Sequence, residues 1–305
     1  MVMLWLFLCL YAATAWSFSA FIDNYITDVI FKNKTPQAMK LLNGPIYLLV
    51  AGAIALFAGL EHTELGQTGM LILSGVLSSF ASIPYYLGLK HEEATGAAIF
   101  YQIIPLIYLV ADWLIFGESI TGQQILGFLI ILAAPAIVIF SRKRAKSRRT
   151  EMAAALLFIL YDVLVVSSGL ISTHFSEGIN FFTMFFWYLI GRGSCNLLLM
   201  AINKPWQERF KYIWRRKRKP FIISVGINQL IHTTAEFAAR AAMILGVAAL
   251  ASVTCNTTEL IITFVLGIIL SLIWPKFGRE KIHRHIIIAH LLATVLAVVG
   301  IIILQ

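Results

Sequence analysis

The chain has 305 residues, 59% of them hydrophobic and only 13% charged, with a mean hydropathy of +0.84 and a formal net charge of +9. That composition excludes a soluble domain of this length and describes a polytopic membrane protein. The apolar runs are continuous rather than alternating, which excludes a transmembrane β-barrel.

A bilayer core calls for about 20 apolar residues per helix. Ten segments answer to this: 4–24, 45–60, 69–89, 94–116, 122–141, 151–173, 180–203, 220–244, 246–274 and 285–304. The first has no basic stretch ahead of its apolar run and no cleavage site, so it reads as a retained helix rather than a signal peptide. Its Trp16, Ser17 and Ser19 fall at mid-depth. Asp23 falls about 28 Å from the outer end at 1.5 Å per residue, which puts it at the interface. Span three carries Ser78, Ser79, Ser82, Pro84, Tyr85 and Tyr86, and span four carries Tyr101, Gln102 and Pro105. A proline within a span frees a carbonyl and kinks the helix. Spans five and ten are apolar almost throughout, with His290 the exception, so they face lipid or a partner and are the candidate contact of a homodimer.

Apart from Arg192 and Arg240, every Lys and Arg falls in the connections after spans one, three, five, seven and nine. The heaviest clusters are 142–149 and 215–219. Basic residues in short loops stay cytoplasmic, so this alternation predicts both termini outside. Contact with anionic headgroups follows from the same charge, and nucleic acid is not an expected partner. Cys9, Cys195 and Cys255 all lie in spans without CxxC spacing, so neither disulfide nor metal is expected.

Ionisable side chains deep in a span are costly and are functional candidates by default. From helical rise, Asp162 lies about 17 Å into span six, Arg192 and His232 about 18 Å into spans seven and eight, and Glu259 about 20 Å into span nine. Asn228, His232, Glu236 and Arg240 recur every four residues, which places them on one face of span eight. Such a stripe faces protein or water, either as a cavity wall or as a set of internal pairs such as Glu236 with Arg240. Asn256 and Glu259 lie among the threonines of span nine. His232, Glu236 and Glu259 are the candidates for solute or proton binding, with Trp16, Tyr85, Gln102, Asp162, Arg192, Asn228 and Asn256 in support. Asp162 and Arg192 are also candidates to neutralise each other across adjacent spans. The deep charges leave an acidic surplus, which favours a cationic or zwitterionic solute over a phosphate-bearing one.

Laying Gly75 on Gly226 without a gap puts Tyr85 to Gly88 over Glu236 to Ala239, and Ala97-Ala98 over Ala248-Ala249. The chain reads as one unit written twice, 1–149 and 150–305. Five helices per unit is odd, so consecutive copies insert with opposite orientation and share a site near the midplane. The run from Tyr85 through Ala97-Ala98, Pro105, Phe116-Gly117-Glu118 and Gly127 resembles the EamA-type repeat of the drug/metabolite transporter superfamily, and the second half is similar from Phe237 through Glu280 to Gly300. The second copy departs from the pattern where Asn256 stands over Pro105. The resemblance implies an all-α fold of ten helices in a prokaryotic cytoplasmic membrane. It also implies a cavity lined mainly by spans one, three, four, six, eight and nine.

No phosphate loop, HExxH or nucleophile elbow occurs, so neither enzyme activity nor a cofactor is expected. The reading is a secondary transporter of a small organic metabolite (an amino acid, amine or nucleoside), working by alternating access and with proton coupling a candidate. The alternative is a membrane scaffold or lipid-handling accessory protein whose halves never alternate.

Overall fold

In the computed structural model, residues 2–32, 34–91, 94–116, 148–245, 248–274 and 284–304 are described, with isolated residues between 121 and 137. All regular structure among them is helical. Helix α1 (Val2–Tyr25) runs into a π-helical turn at Ile26–Ile30, and a 3-10 turn at Pro36–Met39 leads into α2 (Lys40–Phe57). Then come α3 (Leu65–Gly88), α4 (Ala94–Phe100), α5 (Ile104–Phe116), α6 (Arg148–His174), α7 (Phe181–Ile202), α8 (Lys204–Leu245), α9 (Ala248–Ile273) and α10 (Arg284–Leu304). Six stretches among the described residues are long and apolar enough to cross a membrane; they lie in α1, α2, α3, α6, α7 and α9. Most of the expected fifth span, 122–141, and the Gly117-Glu118 and Glu280 turns lie outside the described residues.

Proline explains the two irregular helices. Pro105 has no N–H to offer the Tyr101 carbonyl and its ring crowds that carbonyl. The chain answers with a 3-10 turn at Tyr101–Ile103, so expected span four is two helices, α4 and α5. Where Asn256 takes the proline's aligned place, α9 runs on without a break. Pro220 acts in the same way on α8, whose 42 residues include a non-helical Lys217 at φ −136°, ψ 32°. The basic segment 204–219, expected as a connection, is therefore helical, and the kink separates it from the apolar part of α8. Arg209 donates to the Phe31 and Lys34 carbonyls, and Lys217 donates to the Val29 carbonyl at 2.6 Å. These cations satisfy carbonyls that the C-terminal end of α1 leaves open.

The most extensive helix contacts pair α1 with α8 and α9, α3 with α6 and α7, and α2 with α7. Glycine sets the α3–α7 crossing. A Cβ on Gly75 would lie 2.0 Å from the Tyr188 carbonyl oxygen, and one on Gly191 would lie 2.1 Å from that of Ile72. Small residues let membrane helices approach to backbone contact in this way. Polarity is inverted relative to a soluble protein: Leu49, Phe57 and Leu65 are exposed, while Asp23, Lys40, Asp162, Arg192, Glu236, Arg240 and Glu259 are buried. That is the arrangement a hydrocarbon solvent imposes.

Candidate functional site

A cavity of about 130 Å³ opens in the middle of the bundle, several times the room one water needs. Trp16, Ser19, Ala20 and Asp23 of α1 line it, a spacing that puts all four on one helix face. Asn228, His232 and Glu236 of α8 line it at four-residue intervals, on one helix face. Tyr85, Arg192, Asn256 and Glu259 complete the expected set. Gln102 and Asp162 are not among the lining residues. Gln102 is a cross-link instead: its Nε2 donates to the Asn256 carbonyl at 2.9 Å and joins the 3-10 turn to α9.

Three polar knots surround the cavity. In the first, the Glu236 carboxylate accepts from Arg192 Nη1 and from the Tyr188 hydroxyl, and Arg240 Nη2 lies 3.6 Å away on the same helix. Arg192 also donates to the Tyr188 hydroxyl at 2.7 Å and sits over the Tyr47 ring at 4.6 Å. Its Nη2 is 3.4 Å from His232 Nε2. A guanidinium carries only donors, so this ring nitrogen accepts and the imidazole proton belongs on Nδ1. The expected pairing of Arg192 with Asp162 does not occur. Arg192 faces α8, where Glu236 answers it, while Asp162 is fully buried with neither oxygen hydrogen-bonded among the described residues.

The second knot is centred on Asp23, which is 3% exposed. The Tyr85 and Tyr86 hydroxyls donate to it at 3.0 and 2.9 Å, and Asn228 Nδ2 donates at 2.8 Å. Rise along α1 gives its distance from the outer end but not the tyrosine and amide side chains of α3 and α8 that enclose it. The Trp16–Asp23 spacing was the available signal. The third knot is Lys40, counted from sequence among the loop cations but 1% exposed. Its ammonium donates to the Ser79 carbonyl at 2.8 Å, Ser82 Oγ at 2.6 Å and Asn196 Oδ1 at 2.9 Å. Asn43 and Tyr47 of α2 and Asn196 of α7 line the cavity beside Arg192. Spans two and seven thus contribute to a wall that the family resemblance assigns mainly to others.

The opposite wall is not closed in this way. Among the described residues Glu259, 5% exposed, makes no side-chain hydrogen bond or ion pair, and the Tyr101 hydroxyl, also buried, has no hydrogen-bond partner. Tyr161 of α6, which sequence reasoning did not single out, lines the same wall and is in ring contact with both Tyr85 and Tyr101. The arrangement offers neutral donors, one engaged guanidinium and an unanswered carboxyl around one small space. No group of three or more His, Cys, Asp or Glu residues capable of holding a metal occurs among the described residues.

Residues 3–140 match the EamA-like transporter family. That match covers a little under half of the chain. A curated relative, an uncharacterized transporter of Archaeoglobus fulgidus, is 30% identical over 111 residues, which is 36% of this chain and 38% of that protein. The similarity therefore spans well under half of the relative. A solved structure described only as the crystal structure of a protein superposes with a TM-score of 0.56 at 14% identity, covering 95% of each chain. That likeness concerns the fold alone, and it extends beyond the EamA-like half to nearly the whole bundle.

Proposed function

We propose that the protein is a secondary transporter of a small organic metabolite, opening a midplane cavity to either side of the membrane in turn. The observation that carries this reading is the cavity itself: side chains from both sequence halves converge on it, and Glu259 faces it unanswered. The EamA-like match over 3–140 supports the same class and argues against an enzyme.

The proposed units are 1–149 and 150–305, each contributing five helices with inverted orientation, ten in all. The packing supports this. Exchanging the halves turns the α1–α8 contact, first span against eighth, into the α6–α3 contact, sixth against third; both are among the most extensive in the bundle. The α2–α7 contact, second span against seventh, maps onto itself. Such exchange is what a twofold axis in the membrane plane requires. Both termini outside and a cytoplasmic 204–219 segment are part of the proposal. The bonds from Arg209 and Lys217 to 29–34 support it, because they join two basic connections on one side.

Glu259 is the proposed coupling residue, since a carboxylate without a partner inside a bundle is answered by a proton or by the solute. Reconstituted into liposomes, Glu259→Gln should insert and fold normally yet lose gradient-driven uptake. Unchanged uptake would remove Glu259 from the mechanism. One observation favours the scaffold alternative: Glu236 and Arg240 of the α8 stripe are closed by internal pairs. Single cysteines at Asn228 and His232 decide between the readings. Labelling from both membrane sides belongs to a carrier, and protection from both sides to a scaffold.

A further inference from the structure

The two walls of the cavity differ in what they leave unanswered. On the Arg192 side, the guanidinium is engaged by Glu236, Tyr188, His232 and the Tyr47 ring, and Lys40 has four oxygen acceptors. On the other side Glu259 and the Tyr101 hydroxyl are both nine-tenths or more buried, both line the cavity, and both lack a hydrogen-bond or ion-pair partner among the described residues. Around them Tyr85, Tyr101 and Tyr161 form a contiguous aromatic surface, with ring centroids 5.3 Å apart for Tyr85–Tyr161, 5.2 Å for Tyr101–Tyr161 and 6.4 Å for Tyr85–Tyr101. All three line the cavity. Glu259 and Asp162 are both near enough to Tyr101 and Tyr161 to couple electrostatically with them.

We propose that this tyrosine–glutamate wall is the recognition site for a cationic nitrogen, so that the transported solute carries an alkylated ammonium group. The proposal rests on the transporter reading above and assigns the substrate class of the same cavity. The rings touch one another, so the cation lies against their common surface rather than between them. Electron-rich ring faces and phenolic oxygens attract a cation within about 6 Å of a ring centroid, and more strongly in a desolvated site than in water. Glu259 supplies the countercharge, and the free Tyr101 oxygen accepts an N–H where the nitrogen has one. An anionic group finds no comparable vacancy, because the arginine that would meet it is already engaged by Glu236.

Binding to the purified full-length protein, read by calorimetry, tests this with four small probes. These are methylammonium, tetramethylammonium, choline and 3,3-dimethylbutan-1-ol, the last being the uncharged isostere of choline. At least one of the cations should bind, with choline at least about tenfold tighter than its isostere. Glu259→Gln and Tyr161→Leu should each weaken the bound cation about tenfold or more, whereas Tyr161→Phe, which keeps the ring, should stay within about threefold. Melting of each variant in the same detergent separates lost binding from lost fold. Equal binding of choline and its isostere, no binding of any cation, or full retention in Tyr161→Leu would each overturn the proposal. Counterflow of a labelled metabolite extract in liposomes separates the two readings. Flux without cation binding overturns the ammonium site alone, while cation binding without flux overturns the transporter and leaves the site standing.

Discussion

Lys40 donates to Asn196 Oδ1 at 2.9 Å and so ties the start of α2 to the middle of α7. Every other partner of that ammonium is also uncharged: the Ser79 carbonyl and the Ser79 and Ser82 hydroxyls. A buried cation held only by dipoles depends on the number and aim of its acceptors. Lys40→Met removes the charge together with a three-helix junction, and should destabilise the bundle by about 1–3 kcal/mol, the cost typical of buried groups left unpaired. Thermal unfolding in detergent reads the shift, and an unchanged midpoint would show that the junction is not structural.

The α3–α7 crossing should tolerate no side chain. Gly75→Ala places a methyl 2.0 Å from the Tyr188 carbonyl and 2.7 Å from the Arg192 nitrogen, both backbone atoms that cannot rotate away. The helices must separate, at about 1–3 kcal/mol or more. Gly226, aligned with Gly75 in the duplicated register, has nothing within 4 Å of its added Cβ. Gly226→Ala should therefore be neutral, or stabilise α8 by up to about 1 kcal/mol through helix propensity. Comparing the two melting points checks the pair, and equal destabilisation would contradict the crossing geometry.

Arg192 and Glu236 should behave as a coupled pair. Removing one partner strands a buried charge, which costs about 3–5 kcal/mol, whereas removing both costs less than the sum. Arg192→Leu, Glu236→Leu and the double variant form the cycle, read by unfolding. Arg240 dampens the coupling because it also reaches Glu236 and keeps it from standing alone. Strict additivity would mean that the pair is incidental to stability.

The features legible in the sequence were those carried by period and by breakers. The four-residue recurrence from Asn228 to Arg240 fixed a helix face, and Pro105 fixed a break, because both act within one helix. The burial of Asp23 and Lys40 was not legible because burial depends on neighbours. Each looks like an edge residue when counted along its own segment, and each becomes interior once Tyr85, Tyr86 and Asn228, or Ser79 and Asn196, converge on it. The same limit explains Arg192. Depth alone made Asp162 its natural counter-ion, and the orientation of α7 gave it Glu236 instead. Tyr161 and Tyr101 look like ordinary core aromatics until three helices bring them together beside Glu259.

The bond between Asp23 and Asn228 joins residues 205 positions apart. At about 5–20 residues per second, the ribosome delivers the second partner some 10–40 s after the first. For that interval the opening helix carries a carboxylate whose amide donor has not yet been made. Holding it in the insertion machinery, or letting it sit shallow until the eighth helix arrives, becomes a step of biogenesis. Assembly of this bundle is thus timed by its eighth helix, and a chain cut short before it would leave Asp23 with the two phenols of α3 and without its amide.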